Sequence, residues 1–224
     1  MNKLNHIAFI MDGNGRWGLK KNNNRNYGHL EGVKTVQKIV EASIFFKLPI
    51  ISFYVFSSEN WKRPKSEINY LFNLINIYFK KEIKNISKNN IKINILGRIN
   101  NLPLKIKKTL IAAKTKTKKN NKLIVNLAIN YGSKNEIVDS VRKLVFNSKK
   151  INEENIKKSL YLDLPFPDIL VRTGGKKRLS NFMLWQLAYA EIFFLDKLWP
   201  DFKKNDLKNI IKKYHKIKRN YGSI

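Results

Sequence analysis

Six apolar runs of strand length, at residues 7–11, 50–56, 91–96, 123–129, 169–171 and 191–195, alternate along this chain with segments whose apolar residues recur at helical spacing. The helical segments are 30–46, 67–86, 104–116 and 135–146, the last with a further short piece to 160. Alternation of this kind leaves few topologies, because parallel strands must be joined by crossovers and the crossover helices then cover both faces of the sheet. The sequence predicts an α/β fold, a single domain over residues 1–224 with a largely parallel six-stranded sheet flanked by helices. Ligands of such sheets sit at the carboxyl ends of the strands. Polar motifs follow four of the runs there: DGNGR after the first, SSENWKRP after the second, NYG after the fourth and RTGG after the fifth. No internal repeat and no Pro/Gly/Ser linker divides the chain.

Composition narrows the chemistry. Cysteine is absent and there are three His in 224 residues, so disulfides, thiolate metal sites and Cys nucleophiles are excluded and any metal is held mainly by oxygen. Asp12 and the glycines after it interrupt the first apolar stretch, which therefore lacks the pattern of a secretory signal, and the cytosol is the expected compartment. Residues 182–199 are the longest apolar-looking stretch, yet Gln186, Glu191, Asp196 and Lys197 would be costly in a bilayer. A buried helix followed by a strand is expected there. The net charge of +29 points by itself to nucleic acid or an anionic membrane surface. The excess lies in Lys- and Asn-rich tracts such as KKNNNRN and KTKTKKNNK, the usage that A+T-rich coding produces, and no Arg-rich stripe or nucleic-acid-binding motif accompanies it. No nucleic-acid partner is expected, and transient association with acidic lipid is the stronger electrostatic reading.

The opening HIAFIMDGNGRW reads as a strand, then a turn placed before any helix begins. Gly13 and Gly15 permit a close backbone approach by a phosphate, although Asp-Gly and Asn-Gly also make ordinary turns. Asp12 is the leading candidate for a catalytic or metal-holding carboxylate, with magnesium favoured over zinc because phosphate oxygens can complete its shell. Glu191, entering an apolar strand, reads either as a second ligand or as half of a structural salt bridge. Within DILVRTGGKKRLSNFMLWQ, Arg172, Arg178 and Ser180 suit a diphosphate, since guanidinium offers bidentate donors to phosphate; Ser180 reads equally as the N-cap of a following helix. The SSENWKRP segment has the make-up of a lid over a ligand. Arg25 and His29 could reach the same phosphate bed, though for His29 alone a helix-terminal His without function is the safer reading. There is no Walker loop, GxGxxG, GxSxG or DDxxD pattern.

Taken in order, HIAFIMDGNGRW, Arg25 with YGH, FYVFSSENWKRP, NLAINYG, DILVRTGG, RLSNFMLWQLAYAE and LWPDF resemble the cis-prenyltransferase family, bacterial undecaprenyl diphosphate synthases in particular, over nearly the whole chain. The resemblance implies a homodimer, with an apolar tunnel between sheet and helices. It also implies magnesium-supported addition of isopentenyl diphosphate to farnesyl diphosphate with cis double bonds, giving a long polyprenyl diphosphate, the lipid carrier of cell-wall synthesis. Carried onto this chain, Asp12 is the essential carboxylate and shares the metal with Glu191. Gly13, Asn14, Gly15, Arg16, Trp17, Arg25 and His29 hold the allylic diphosphate, and Arg172, Arg178, Leu179 and Ser180 the isopentenyl diphosphate. Ser57, Ser58, Glu59, Trp61 and Arg63 lie on the closing loop. Asn60 takes the place of the proton acceptor, but a neutral amide is a poor base, so orienting the group that removes the proton is the expected role.

Departures from the family pattern are Val33 and Val55, where smaller residues often line the tunnel, and Lys176 and Lys177 in place of Glu and a variable residue. The C-terminal Arg-x-Gly is replaced by Asn220, Tyr221 and Gly222, with Arg219 one place early. A non-catalytic binding subunit of a prenyltransferase complex is the alternative reading; Asp12, Arg172 and Arg178 argue against it.

Overall fold

The computed structural model describes residues 2–219, so the Asn220, Tyr221 and Gly222 departure lies outside the described residues. The order is β1 (His6–Ile10), α1 (Asn14–Asn22), α2 (Arg25–Phe45), β2 (Ile50–Ser57), a 3-10 turn (Ser58–Lys62), α3 (Lys65–Lys88), β3 (Ile91–Leu96), α4 (Leu104–Lys116) and β4 (Leu123–Tyr131). There follow α5 (Ser133–Phe146), α6 (Glu153–Ser159), β5 (Ile169–Arg172), β6 (Glu191–Phe194) and α7 (Lys204–Lys216). The six strands form one sheet in the order β3-β4-β2-β1-β5-β6, every pairing parallel. The chain leaves β1 toward β2 on one side and reaches β5 on the other, so the carboxyl ends of β1 and β5 flank a topological switch point, where open α/β sheets place their ligands.

Alternate strand residues face opposite sides, and the two sides differ in kind. On one, Ile7, Phe9, Ile51, Phe53, Val125 and Val171 pack with side chains from α2, α3, α4 and α7 in the larger apolar core. Fully burying a side chain of that size is worth roughly 1.5–3 kcal/mol, which makes this face the main source of stability. On the other, small residues such as Ala8 and Ala128 meet Phe182, Met183 and Leu187. A buried polar row also crosses four strands: His6 Nε2 meets Ser52 Oγ at 2.7 Å, Asn126 donates to Ser52 Oγ at 2.9 Å, and Asn94 donates to Asn126 at 3.1 Å. Burial lowers the pKa of His6 to about 4, outweighing the carbonyl of Pro165 and the charge of Asp168, which both raise it.

Three expectations are corrected. The helix begins at Asn14 rather than well after the DGNGRW motif, so that motif forms the first turn of α1. Its two glycines are poor helix formers, but α1 and α2 touch backbone to backbone: a Cβ built on Gly28 would lie 1.8 Å from the Asn14 carbonyl oxygen. Packing overrides propensity there. The buried helix expected after residue 182 is absent: residues 181–189 are turns and bends, with Ser180, Asn181 and Met183 at φ of 50°, 61° and 47°. Phe182, Met183 and Leu187 are still buried, so composition there reflects burial without helical form. Ser180 consequently caps no helix of its own. The Lys-rich α7, which sequence reading did not foresee, buries Leu207, Ile210 and Tyr214 along one stripe. Among the described residues no helix is long and apolar enough to cross a membrane.

Candidate active site

A cavity of about 820 Å³ opens at the carboxyl ends of β1, β2 and β5 and runs in beneath α2 and α3. Its mouth is charged: Arg16, Arg25, Arg63, Arg172 and Arg178 line it together with Asp12, Glu59 and Glu67's partner His29. Its depth is apolar, bounded by Val33, Val36, Val55, Leu74, Ile75 and Phe79 among others.

Asp12 leaves β1 at the switch point and is held from two sides. Arg16 Nη2, one helical turn on, donates to Asp12 Oδ1 at 3.0 Å and to the Gly174 carbonyl at 2.8 Å. Arg172 Nη2, from the end of β5, donates to Asp12 Oδ2 at 2.9 Å. Gly174 permits this: at φ 87° a side chain is strained, and an added Cβ would meet Arg16 Nη2 at 2.5 Å. Arg172 is buried, and its Nη1 donates to Ser180 Oγ at 2.7 Å and to the Arg178 carbonyl, while its Nε is buried without a partner. An orphaned buried guanidinium donor is costly, and Arg172 carries one here.

The first turn of α1 supplies a second anion-binding feature. The N–H groups of Asn14, Gly15 and Arg16 have no partner within the helix, and the first turn contains no acidic side chain. Beside it, Glu67 of α3 is buried and collects two arginines and a histidine. It accepts Arg25 Nε at 3.1 Å, Arg63 Nη1 at 3.1 Å and His29 Nε2 at 3.2 Å. Burial pushes the Glu67 carboxyl up, but the hydrogen bond from Arg25 and the charges of Arg63 and Arg25 outweigh it and hold it below its ordinary range. Burial lowers the His29 pKa despite Glu67, so the ring is neutral at pH 7. A carboxylate only accepts, so Nε2 carries the proton. Sequence reading missed Glu67. The available signal was Arg63 four residues before it at the start of a helix, the spacing of an ion pair.

The SSENWKRP segment is a 3-10 turn braced at both ends. Asn60 Oδ1 accepts the Ser57 N–H at 3.2 Å, which leaves the amide N–H pair as what Asn60 offers a ligand. Trp61 Nε1 donates to Asn130 Oδ1 at 2.8 Å and its ring packs on Phe56 and Phe72.

Of the residues singled out from the sequence, Asp12, Gly13, Asn14, Gly15, Arg16, Arg25, His29, Ser57, Glu59, Asn60, Arg63, Arg172, Arg178 and Ser180 line this one cavity. Trp17, Ser58, Trp61, Leu179 and Glu191 do not line it. Trp17 instead stacks on Tyr27 and donates to Asp201. Glu191 is not brought to Asp12. It opens β6 level with Ile169, three residues before the level of Arg172, hence about 10 Å toward the amino ends of the strands. Arg219 Nε lies 3.8 Å from it.

Among the described residues no group of three or more His, Asp or Glu could cage a metal. The donor set fits a different arrangement. Asp12 keeps lone pairs beyond the two that its arginines use, and magnesium is commonly held by one or two carboxylates with substrate phosphates.

Comparison with known proteins agrees with this geometry. A family model described as "Putative undecaprenyl diphosphate synthase" matches residues 10–222. An isoprenyl transferase of Fusobacterium nucleatum is 44% identical over 220 residues, covering 98% of this chain and 96% of its own. One from Rickettsia bellii is 45% identical over 224 residues, covering 99% of both. The crystal structure of a probable undecaprenyl diphosphate synthase from Campylobacter jejuni superposes with a TM-score of 0.87 at 37% identity, covering 100% of both chains. Lavandulyl diphosphate synthase from Lavandula x intermedia, in complex with dimethylallyl diphosphate, gives 0.93 at 28% identity over 98% of both.

Proposed function

The chain belongs to the isoprenyl transferase family, the undecaprenyl diphosphate synthases and their relatives, and from that premise we propose that it extends farnesyl diphosphate with successive isopentenyl diphosphate units to a long-chain polyprenyl diphosphate of about undecaprenyl length. The observation that carries the reading is the cavity itself: a mouth of five guanidiniums around Asp12 continues into an apolar depth under α2 and α3. Nothing but an amphiphile with an anionic head and a hydrocarbon tail matches both halves.

In this reading the allylic diphosphate rests on the first-turn N–H groups of α1 with Arg25 and His29, and the isopentenyl diphosphate on Arg172, Arg178 and Ser180. His29 meets the allylic head through Nδ1, so binding there favours uptake of a proton by the ring. The allylic carbon–oxygen bond breaks as the new carbon–carbon bond forms, and a proton then leaves the condensed chain. Arginine donors fixed in advance stabilise the charge developing on the departing diphosphate. Asp12, already oriented by Arg16 and Arg172, would hold magnesium together with phosphate oxygens. The metal, when bound, supplies charge neutralisation of the leaving group. Asn60 donates through its amide and orients the departing diphosphate, which takes the proton. Each added unit moves tail from water into the depth at roughly 0.8 kcal/mol per CH₂, so elongation is favoured until the depth is full.

A second copy of the chain is part of the proposal. The edge strand β6 exposes Ile192, and α5 exposes Val138, Val145 and Phe146, apolar surface that a homodimer would cover.

Purified protein incubated with farnesyl diphosphate, labelled isopentenyl diphosphate and magnesium is expected to yield a product ladder, sized after dephosphorylation. The ladder should vanish with Asp12→Ala. Folded protein that incorporates no label refutes catalysis by this chain alone.

A further inference from the structure

Asn181 follows Ser180 and lines the cavity, yet the chemistry above gives it no part. Three of its hydrogen-bonding groups are used. Its backbone carbonyl accepts the Ser133 N–H at 2.8 Å and its Oδ1 accepts the Lys134 N–H at 2.9 Å. Those two donors open α5, whose own N-cap is Gly132, a residue with no side chain to offer. Asn181 therefore caps a helix from 47 residues away. The remaining group, Nδ2, donates to Glu59 Oε1 at 2.8 Å across 122 residues of sequence.

Glu59 belongs to the 3-10 turn that carries Asn60 and is followed by Arg63 as its C-cap. Burial pushes its carboxyl up, but hydrogen bonds from Asn181, from its own backbone and from Ser57 and Ser58 prevail and keep it ionised. On the other side, Ser180 Oγ receives Arg172 and the Ser180 carbonyl receives the Tyr54 hydroxyl at 3.3 Å. Asn181 adopts φ 61°, a left-handed conformation that Asn tolerates better than most residues, and it turns the side chain back to both partners.

We infer that Asn181 is a positioning residue that couples the diphosphate cradle of Arg172, Arg178 and Ser180 to the turn bearing Asn60, through its hydrogen bond to Glu59. The inference rests on the proposed function for the identity of the cradle's ligand. Occupation of the cradle and placement of the turn then favour each other, with the rigid start of α5 as common anchor.

Substitution can separate the coupling from the capping. Asn181→Asp still accepts the Lys134 N–H but cannot donate to Glu59 and repels it. In Glu59→Gln protein the same change restores a bond of reversed polarity, Gln donating to Asp. We expect Asn181→Asp to weaken isopentenyl diphosphate binding, measured by calorimetry, by about tenfold in the Glu59 background and less than twofold in the Glu59→Gln background, with the melting temperature little changed. Equal losses in the two backgrounds, no loss in either, or a loss that only follows a lowered melting temperature would overturn it, as would absence of binding by the unsubstituted protein. Turnover, read in parallel, keeps the two ideas apart. Activity without the coupling defeats this inference alone, and coupling without activity defeats only the proposed reaction.

Discussion

The mouth and the depth of the cavity are built on opposite principles. At the mouth, Asp12 is tied to Arg16 and Arg172, and Glu67 to Arg25 and Arg63, before substrate arrives. In the depth, Val33, Val36, Val55 and Phe79 offer surface and volume with no polar appointments to keep. Directional bonds fix where a reacting head must lie, because a displacement of about 1 Å there costs on the order of 10²-fold in rate. Apolar contact is graded and additive, so it sets how much tail is accommodated without prescribing its pose. The difference teaches that rate and product length should be separable by mutation.

The largest expected effect breaks the mouth at its centre. Asp12→Ala should lower single-turnover condensation by about 10³-fold with the fold intact by circular dichroism; a loss under tenfold would move the reactive centre elsewhere. Next comes Glu67→Ala, which releases Arg25, Arg63 and His29 at once and should cost about 10²-fold in kcat/KM for the allylic diphosphate. Glu67→Gln, still an acceptor, should cost less, and equal losses would show that charge alone matters at this position. The depth should answer differently. Val55→Ala is expected to lengthen the product distribution, with the first addition within about threefold of the parent rate; an unchanged distribution would remove Val55 from the length-setting wall. Smallest in its effect on turnover is His6, on the far face of the sheet. Its folded pKa of about 4 lies below the ordinary 6.5, so the unfolded chain takes the proton first as pH falls. The contribution is complete above pH 6.5 and is lost progressively down to about 4, amounting to ~3 kcal/mol. Denaturant unfolding of the parent and of His6→Gln should converge in pH dependence above 6.5 and diverge below it, with activity at pH 7.5 alike in both.

The strands were legible because a parallel sheet covered on both sides demands continuous apolar runs, and segments such as IAFI and IISFYVF can do little else. Asp12, Arg172 and their glycines were legible for a related reason, since polar residues crowding strand ends have few structural uses. What escaped was whatever depends on partners. Two glycines hid α1, which stands only against α2. Lysines masked the stripe of Leu207, Ile210 and Tyr214 in α7. Left-handed backbone at Ser180, Asn181 and Met183 carries no compositional signal, so buried turns passed for a helix. Glu191 is instructive in the other direction: a strand beginning at that residue already placed it at an amino end, whereas a charge entering an apolar strand and the family resemblance both suggested a metal ligand.

The bond between Arg172 and Asp12 spans 160 residues, and this sets an order on synthesis. A growing chain makes Arg25, His29, Arg63 and Glu67 within its first 67 residues, so this half of the mouth can assemble early. The other half does not exist until β5 is made. Until then β1, whose residues are all buried in the finished protein, has one neighbour in β2 and one bare edge. An unpaired apolar strand edge is a template for mispairing. The nascent protein is therefore most vulnerable to aggregation during the long interval before residue 172 emerges, and the strand that closes the charged mouth is the same one that ends the danger.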